Sequence, residues 1–166
     1  KAMKGKLSLM LSSKENVYKK NLALLKDIGN NIYNLGNNMG TGSTVKIINN
    51  CLAGIQIVSA AEAIMLAKKE KIDLKKIFKI INNSSGQSWM FADRGERMIK
   101  KKYFKPLSRL SIFKKDMKLA NELRKKHYIN LPLTKVALKM YEKGCKQGLE
   151  NFDDSAVIRL LEKKGI

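Results

Sequence analysis

Lys46, Asn50 and Gly54 stand four residues apart, so they share one face wherever that segment is helical. A lysine among Val45, Ile47 and Ile48 near a helix start has a partly apolar setting, which favours the neutral amine and suits it to proton transfer. An asparagine one turn on offers hydrogen bonds to a substrate or to the ammonium. The same spacing also describes an ordinary solvated helix face, and spacing alone does not choose between the two. Just upstream, Gly36 to Gly42 reads Gly-Asn-Asn-Met-Gly-Thr-Gly. As a dinucleotide fingerprint it fails, because the third glycine position after Gly40 and Gly42 is Val45, and Glu62, the acid about 20 residues on, falls in mid-helix. As a phosphate loop it fails too, since Lys46 follows Val45 and precedes Ile47. By spacing it is a flexible turn into a helix.

Other candidates have simpler readings. Asp153 and Asp154 directly precede Ser155 and Ala156, which predicts a helix N-terminus that favours negative charge. Trp89 and Phe91 follow the Ser84 to Ser88 turn and are expected in the core, and Lys115 with Asp116 reads as part of a basic helix. Cys51 and Cys145 are isolated and His127 is the sole histidine, so neither a structural zinc site nor Cys-His catalysis finds its parts, and no metal is expected. Two buried free thiols fit a reducing cytoplasm.

The elements that would position these residues are mostly helical. Leu7 to Leu11 is an apolar run between Gly5 and Ser12, as in a buried strand. Ser13 is the expected cap of a helix carrying Val17, Leu22, Leu24, Leu25 and Ile28 and stopped by Gly29, and Ile32, Tyr33 and Leu35 form a second short strand. This is one βαβ unit, residues 1–36, which needs a neighbouring sheet. The glycine loop marks a boundary, with an all-helical domain over 37–166. There, Ser43 to about Lys69 reads as one long helix with an apolar stripe at Val45, Ile48, Leu52, Ile55, Ala63 and Leu66. Its alanines and Gly54 make it the central helix of a bundle. Asp73 caps the next helix, Ser88 to Met98 is helical, and further helices cover Ile112 to Lys126, Leu131 to Lys146 and Asp153 or Asp154 to Leu161.

Composition narrows the function. The 166 residues carry 34 Lys and Arg against 14 Asp and Glu, a net charge of +20, so nucleic acid or an acidic partner has to be weighed. Five of those cations are arginines, and the lysines spread along the whole chain with many Asn and Ile, whereas phosphate-reading sites favour Arg forks and stacked aromatics. A basic helical module is therefore the secondary reading. No run of about 18 uncharged apolar residues exists, so no membrane span is expected, and Lys1 to Lys6 are not followed by a secretion-signal core.

The run Gly40-Thr41-Gly42-Ser43-Thr44-Val45-Lys46-Ile47-Ile48-Asn49-Asn50 resembles the GxGxxxKxxxN signature of the β-hydroxyacid dehydrogenase family, the 3-hydroxyisobutyrate dehydrogenase relatives. The resemblance continues through Ala53, Gly54, Ser88 to Phe91, Phe113 to Asp116 and Asp154 to Ile158, and within the family is nearest in look to the L-threonate dehydrogenases. It implies a two-domain oxidoreductase: a Rossmann domain binding NAD or NADP, then an all-helical domain that closes the site and makes subunit contacts. Residues 1–36 would be the last βαβ piece of that Rossmann domain, whose fingerprint lies upstream. By the same resemblance Lys46 is the general acid/base, Asn50 holds the substrate, and Lys115 contacts the cofactor. The substrate would be a small hydroxy acid and the protein a dimer or tetramer. Where many relatives have an aromatic residue eight positions before Asp116, this chain has Ser108.

Overall fold

The computed structural model describes residues 7–162. Lys1 to Lys6, read above for a secretion signal, lie outside the described residues. Compactness divides the chain into two units, Lys1–Asn49 and Asn50–Ile166, and the division falls inside the long helix.

In the first unit two short strands, β1 (Ser8–Leu11) and β2 (Asn31–Asn34), pair in parallel with Leu9 opposite Ile32 and Met10 opposite Tyr33. The crossover between them is two helices, α1 (Glu15–Lys20) and α2 (Leu22–Ile28), where one was expected. Asn21 stands between them with its backbone off the helical values at φ −104° and ψ 7°, and its side-chain amide donates to the Val17 carbonyl at 2.8 Å beside its own backbone N–H. Lys14 rather than Ser13 occupies the cap, without a side-chain bond, and the Ser13 hydroxyl is buried with no partner among the described residues. Val17, Leu24, Ile28 and Tyr33 remain exposed on this unit. The glycine loop ends where Gly42 meets β1. Its N–H donates to Ser12 Oγ at 2.8 Å, and a Cβ there would lie 2.4 Å from the Met10 carbonyl oxygen, so only glycine permits this contact between strand end and helix start.

Helix α3 (Thr41–Lys69) is 29 residues, close to the length expected, and roughly 43 Å long at 1.5 Å per residue. Its length and hydropathy would suit a membrane crossing, but 56% of its most apolar window is buried in the structure, as in a core helix. The buried face is not the predicted one. Ile48, Leu52 and Leu66 of the expected stripe are exposed, while Ala53, Ile57, Ala60, Ala61 and Ile64 form the core. The buried face mixes small residues, Ala53, Ala60 and Ala61, with the larger Ile57, Val58, Ile64 and Met65, so close approach at some turns alternates with bulk at others.

The second unit packs α4 (Leu74–Asn82), α5 (Glu96–Ile99), α6 (Leu110–Lys126) and α7 (Pro132–Lys146) with the α3 core. Asp73 caps α4 as expected, accepting from the Lys75 and Lys76 amides at 2.7 and 3.3 Å. These two bonds hold its carboxyl below the usual aspartate range. The helix expected from Ser88 widens into a π segment over Phe91–Gly95 before α5. There Phe91 is buried and stacks on Phe78 with ring centroids 5.6 Å apart, but Trp89 is 54% exposed with the Arg94 guanidinium 6.0 Å from its ring centre. Trp89 therefore does not join the core as expected.

The last element among the described residues is a 3₁₀ segment, Asp154–Leu160, capped by Asp153 as the paired acids suggested. Both acids are also fully buried, which sequence reading did not anticipate. Arg94 grips Asp154 with two parallel bonds, Nε to Oδ1 at 2.7 Å and Nη2 to Oδ2 at 3.0 Å. Arg97 donates to Asp153 at 2.7 Å and pairs with Asp93 at 3.0 Å, and Arg94 also pairs with Asp93. Burial pushes the Asp154 carboxyl up while Arg94 pulls it down. Burial likewise opposes the Arg94 charge, yet its bonds to Asp154 and Asp93 make it hold its proton more firmly than an ordinary arginine. Removing one partner leaves a buried charge uncompensated. Arg94→Ala is accordingly expected to cost about 3–5 kcal/mol in urea denaturation, and Arg94→Lys to recover little because an ammonium cannot make the paired bonds.

Two buried tyrosines give a second expectation. Tyr103 donates to the Met98 carbonyl at 3.1 Å, and burial pushes its phenol up to about 12. Tyr141, also raised by burial, donates to the Gly54 carbonyl at 2.9 Å. Folded-state values above the unfolded one mean that this stability is complete below about pH 10 and is lost as pH rises towards the folded values. In an alkaline titration the phenolate absorbance of these two should appear together with loss of helical circular dichroism; ionisation of all five tyrosines in a still-folded chain would contradict their burial.

Candidate active site

Lys46 and Asn50 lie one turn apart on the unbroken α3, the arrangement expected. Lys46, in the first unit, is exposed, with Val45 and Ile47 half-buried beside it and Ile48 exposed, so the partly apolar setting anticipated for it gives way to solvent. Asn50 is half-buried in the second unit. Its Nδ2 donates to Asp116 Oδ2 at 2.8 Å. The other carboxylate oxygen of Asp116 takes the Lys115 ammonium at 2.9 Å. Two of the three expected site residues, Asn50 and Lys115, thus meet through a third.

Neither spacing nor the family resemblance assigns Asp116 a role of its own. A signal was present: Leu110, Phe113, Met117 and Ala120 form the buried stripe of α6, and Asp116 falls on it, with its side chain 10% exposed against 66% for Lys115. An acid on a core stripe needs a polar partner. Asn50 is that partner, reached because α3 and α6 approach closely one turn further along. At Gly54 a Cβ would stand 2.6 Å from Met117 Sδ and 3.2 Å from the Phe113 ring, so the absent side chain sets the helix separation. Cys51 Sγ and the Thr134 hydroxyl, 3.2 Å apart, link the same part of α3 to α7. Both cysteines are free and half-buried rather than fully buried.

This arrangement holds an amide, a carboxylate and an ammonium in a row. The carboxylate accepts from the Asn50 nitrogen, which fixes the amide's orientation and therefore where its oxygen points.

Comparison with known proteins places the chain. The family described as "NAD-binding of NADP-dependent 3-hydroxyisobutyrate dehydrogenase" matches residues 40–161, a span that contains Lys46, Asn50 and Lys115. The chain belongs to the 3-hydroxyisobutyrate dehydrogenase family. Over 170 residues it is 36% identical to the L-threonate dehydrogenase of Haemophilus influenzae, covering 99% of this chain and 56% of that protein. To the 2-(hydroxymethyl)glutarate dehydrogenase of Eubacterium barkeri it is 35% identical, with 96% and 52% covered. A crystal structure of a 3-hydroxyisobutyrate dehydrogenase from Salmonella typhimurium superposes with a TM-score of 0.89 at 34% identity, covering 96% of this chain and 55% of that one. The chain spans about half the length of the curated relatives it matches.

The helix separation can be tested directly. Gly54→Val should force α6 away from α3, cost roughly 1–3 kcal/mol of stability, and break the Asn50 to Asp116 bond, read as a shifted Asn50 side-chain amide signal in NMR. An unchanged amide signal would mean that Gly54 does not control the approach.

Proposed function

We propose that this chain is the helical part, with the last βαβ piece (residues 1–36) of a Rossmann domain, of an NAD- or NADP-dependent dehydrogenase acting on a small hydroxy acid of the 3-hydroxyisobutyrate or L-threonate kind. The observation that carries the proposal is the family match over 40–161 together with Lys46 and Asn50 one turn apart on α3. The exposed Val17, Leu24, Ile28 and Tyr33 of the first unit support its completion by further Rossmann structure. Relatives named for L-threonate support the finer substrate assignment.

In this reading Lys46 does the proton work. As the hydroxy acid is oxidised, the neutral amine takes the hydroxyl proton; in the reverse direction the ammonium returns it to the carbonyl oxygen. Asn50 hydrogen-bonds the substrate and keeps the reacting oxygen within reach of Nζ. The dinucleotide supplies the hydride acceptor or donor. Lys115 fits a contact with it: an exposed ammonium on a basic helix suits a phosphate-bearing ligand, while the glycine loop lacks the fingerprint for holding one. The chain by itself is accordingly inactive. A dimer or tetramer through the helical domain is supported by the stripe of Ile48, Leu52 and Leu66 that α3 leaves exposed. The two free thiols suit a cytoplasmic or organellar matrix location.

The test is NAD(P)H formation by the complete two-domain protein with L-threonate and 3-hydroxyisobutyrate. Lys46→Ala should lower kcat by a factor of about 100 or more with substrate KM nearly unchanged, in line with loss of a general acid/base. Lys115→Ala should raise the cofactor KM with little change in kcat. Retained turnover in Lys46→Ala would remove the assignment.

A further inference from the structure

We infer that Asp116 is a positioning residue that couples the substrate side of the site to the cofactor side; this rests on the roles proposed above for Asn50 and Lys115. Each oxygen of its carboxylate is committed to a different partner: Oδ2 accepts from Asn50 Nδ2 at 2.8 Å, and Oδ1 faces Lys115 Nζ at 2.9 Å. The two bonds differ in kind. The first joins α3 to α6, residues 66 apart in sequence, where the carboxylate is nearly out of solvent. The second joins neighbours on α6 and has one exposed end, so by itself it is worth little to stability. Its value lies in geometry. A lysine has a long flexible stem, and a fixed carboxylate confines where its ammonium spends its time.

The chemistry of the acceptor also orients the amide. A carboxylate offers only lone pairs, so the end of Asn50 that meets Asp116 must be its nitrogen. The amide oxygen is then the edge that does not meet this carboxylate, and the amide is held in one orientation. Asp116 touches neither substrate nor cofactor in this scheme; it acts through the two residues that do.

Kinetics of the complete protein separate this role from a merely structural one. Asn50→Ala should disturb only the substrate parameters and Lys115→Ala only the cofactor KM. Asp116→Ala should disturb both, lowering kcat on the order of tenfold and raising the cofactor KM, because small misplacement of positioning groups is costly in rate. Combined with Asn50→Ala it should add nothing further to the loss in kcat, the non-additivity of residues acting in series. Asp116→Asn keeps one acceptor oxygen for Asn50 but no charge for Lys115. It should restore most of kcat and leave the cofactor KM raised, and being isosteric it tests the idea even if the alanine variant folds poorly.

An Asp116→Asn enzyme with unchanged cofactor KM, or Asp116→Ala losses that add fully to those of Asn50→Ala, would overturn the coupling. Lys46→Ala run alongside keeps the two ideas apart. If Lys46→Ala stays active, the dehydrogenase reading fails at its base; if it is inactive while the Asp116 variants behave as wild type, only the coupling fails.

Discussion

A side chain that is missing at position 54 sets the distance between two helices, and the site depends on that distance. Any Cβ there would overlap Met117 and crowd Phe113, both on the buried stripe of α6. With hydrogen in its place the helices close up, and one turn earlier Asn50 comes within 2.8 Å of Asp116. Protein interiors are packed too tightly for such a separation to change by a fraction of an ångström without loss of contact. A packing constraint thus becomes a constraint on polar geometry. Tyr141 reinforces it from α7, its hydroxyl bonded to the Gly54 carbonyl and its ring stacked near Phe113 at 5.7 Å.

The other half of the second unit is held differently. Around the closing 3₁₀ segment the apolar residues Ala156, Val157 and Ile158 are fully buried, and the acids that precede them are buried with them. Two of the five arginines are spent on those acids. The π segment brings Arg94 and Arg97 to one side, where both also reach Asp93. Buried ion pairs are weak evidence of net stability, but breaking one by removing a partner is costly because it leaves an uncompensated buried charge. The start of the 3₁₀ segment is thereby tied to α5 and to the loop before α6, where Leu107 donates to Asp153 and the Asp154 amide to the Ser108 carbonyl.

The large positive charge has little part in either arrangement. Most of the lysines among the described residues lie on exposed helix faces, while the residues that make the contacts described above are an asparagine, a few aspartates, two arginines and several small side chains. Net charge bears on solubility and on the approach of anionic ligands, and not on which helix packs where.

Much of the architecture was legible in the sequence: the strand, crossover and strand of the first unit, the glycine-marked entry to a long helix, the Asp73 cap, Pro132 at the head of α7 and Asp153 at the head of the last segment. These depend on local backbone preferences, which a residue carries with it. The lysine and asparagine on one face of α3 were legible for the same reason, since helical spacing is a local property. Which face of α3 is buried was not, because apolar residues stand on more than one face of this helix at the helical period, and only the neighbours decide which of those faces is covered. Nor were the roles of Asp116, Arg94 and Arg97, whose partners lie dozens of residues away. A hydrogen bond acts over about 3 Å in space and has no period along the chain, so the folded arrangement alone selects its partners.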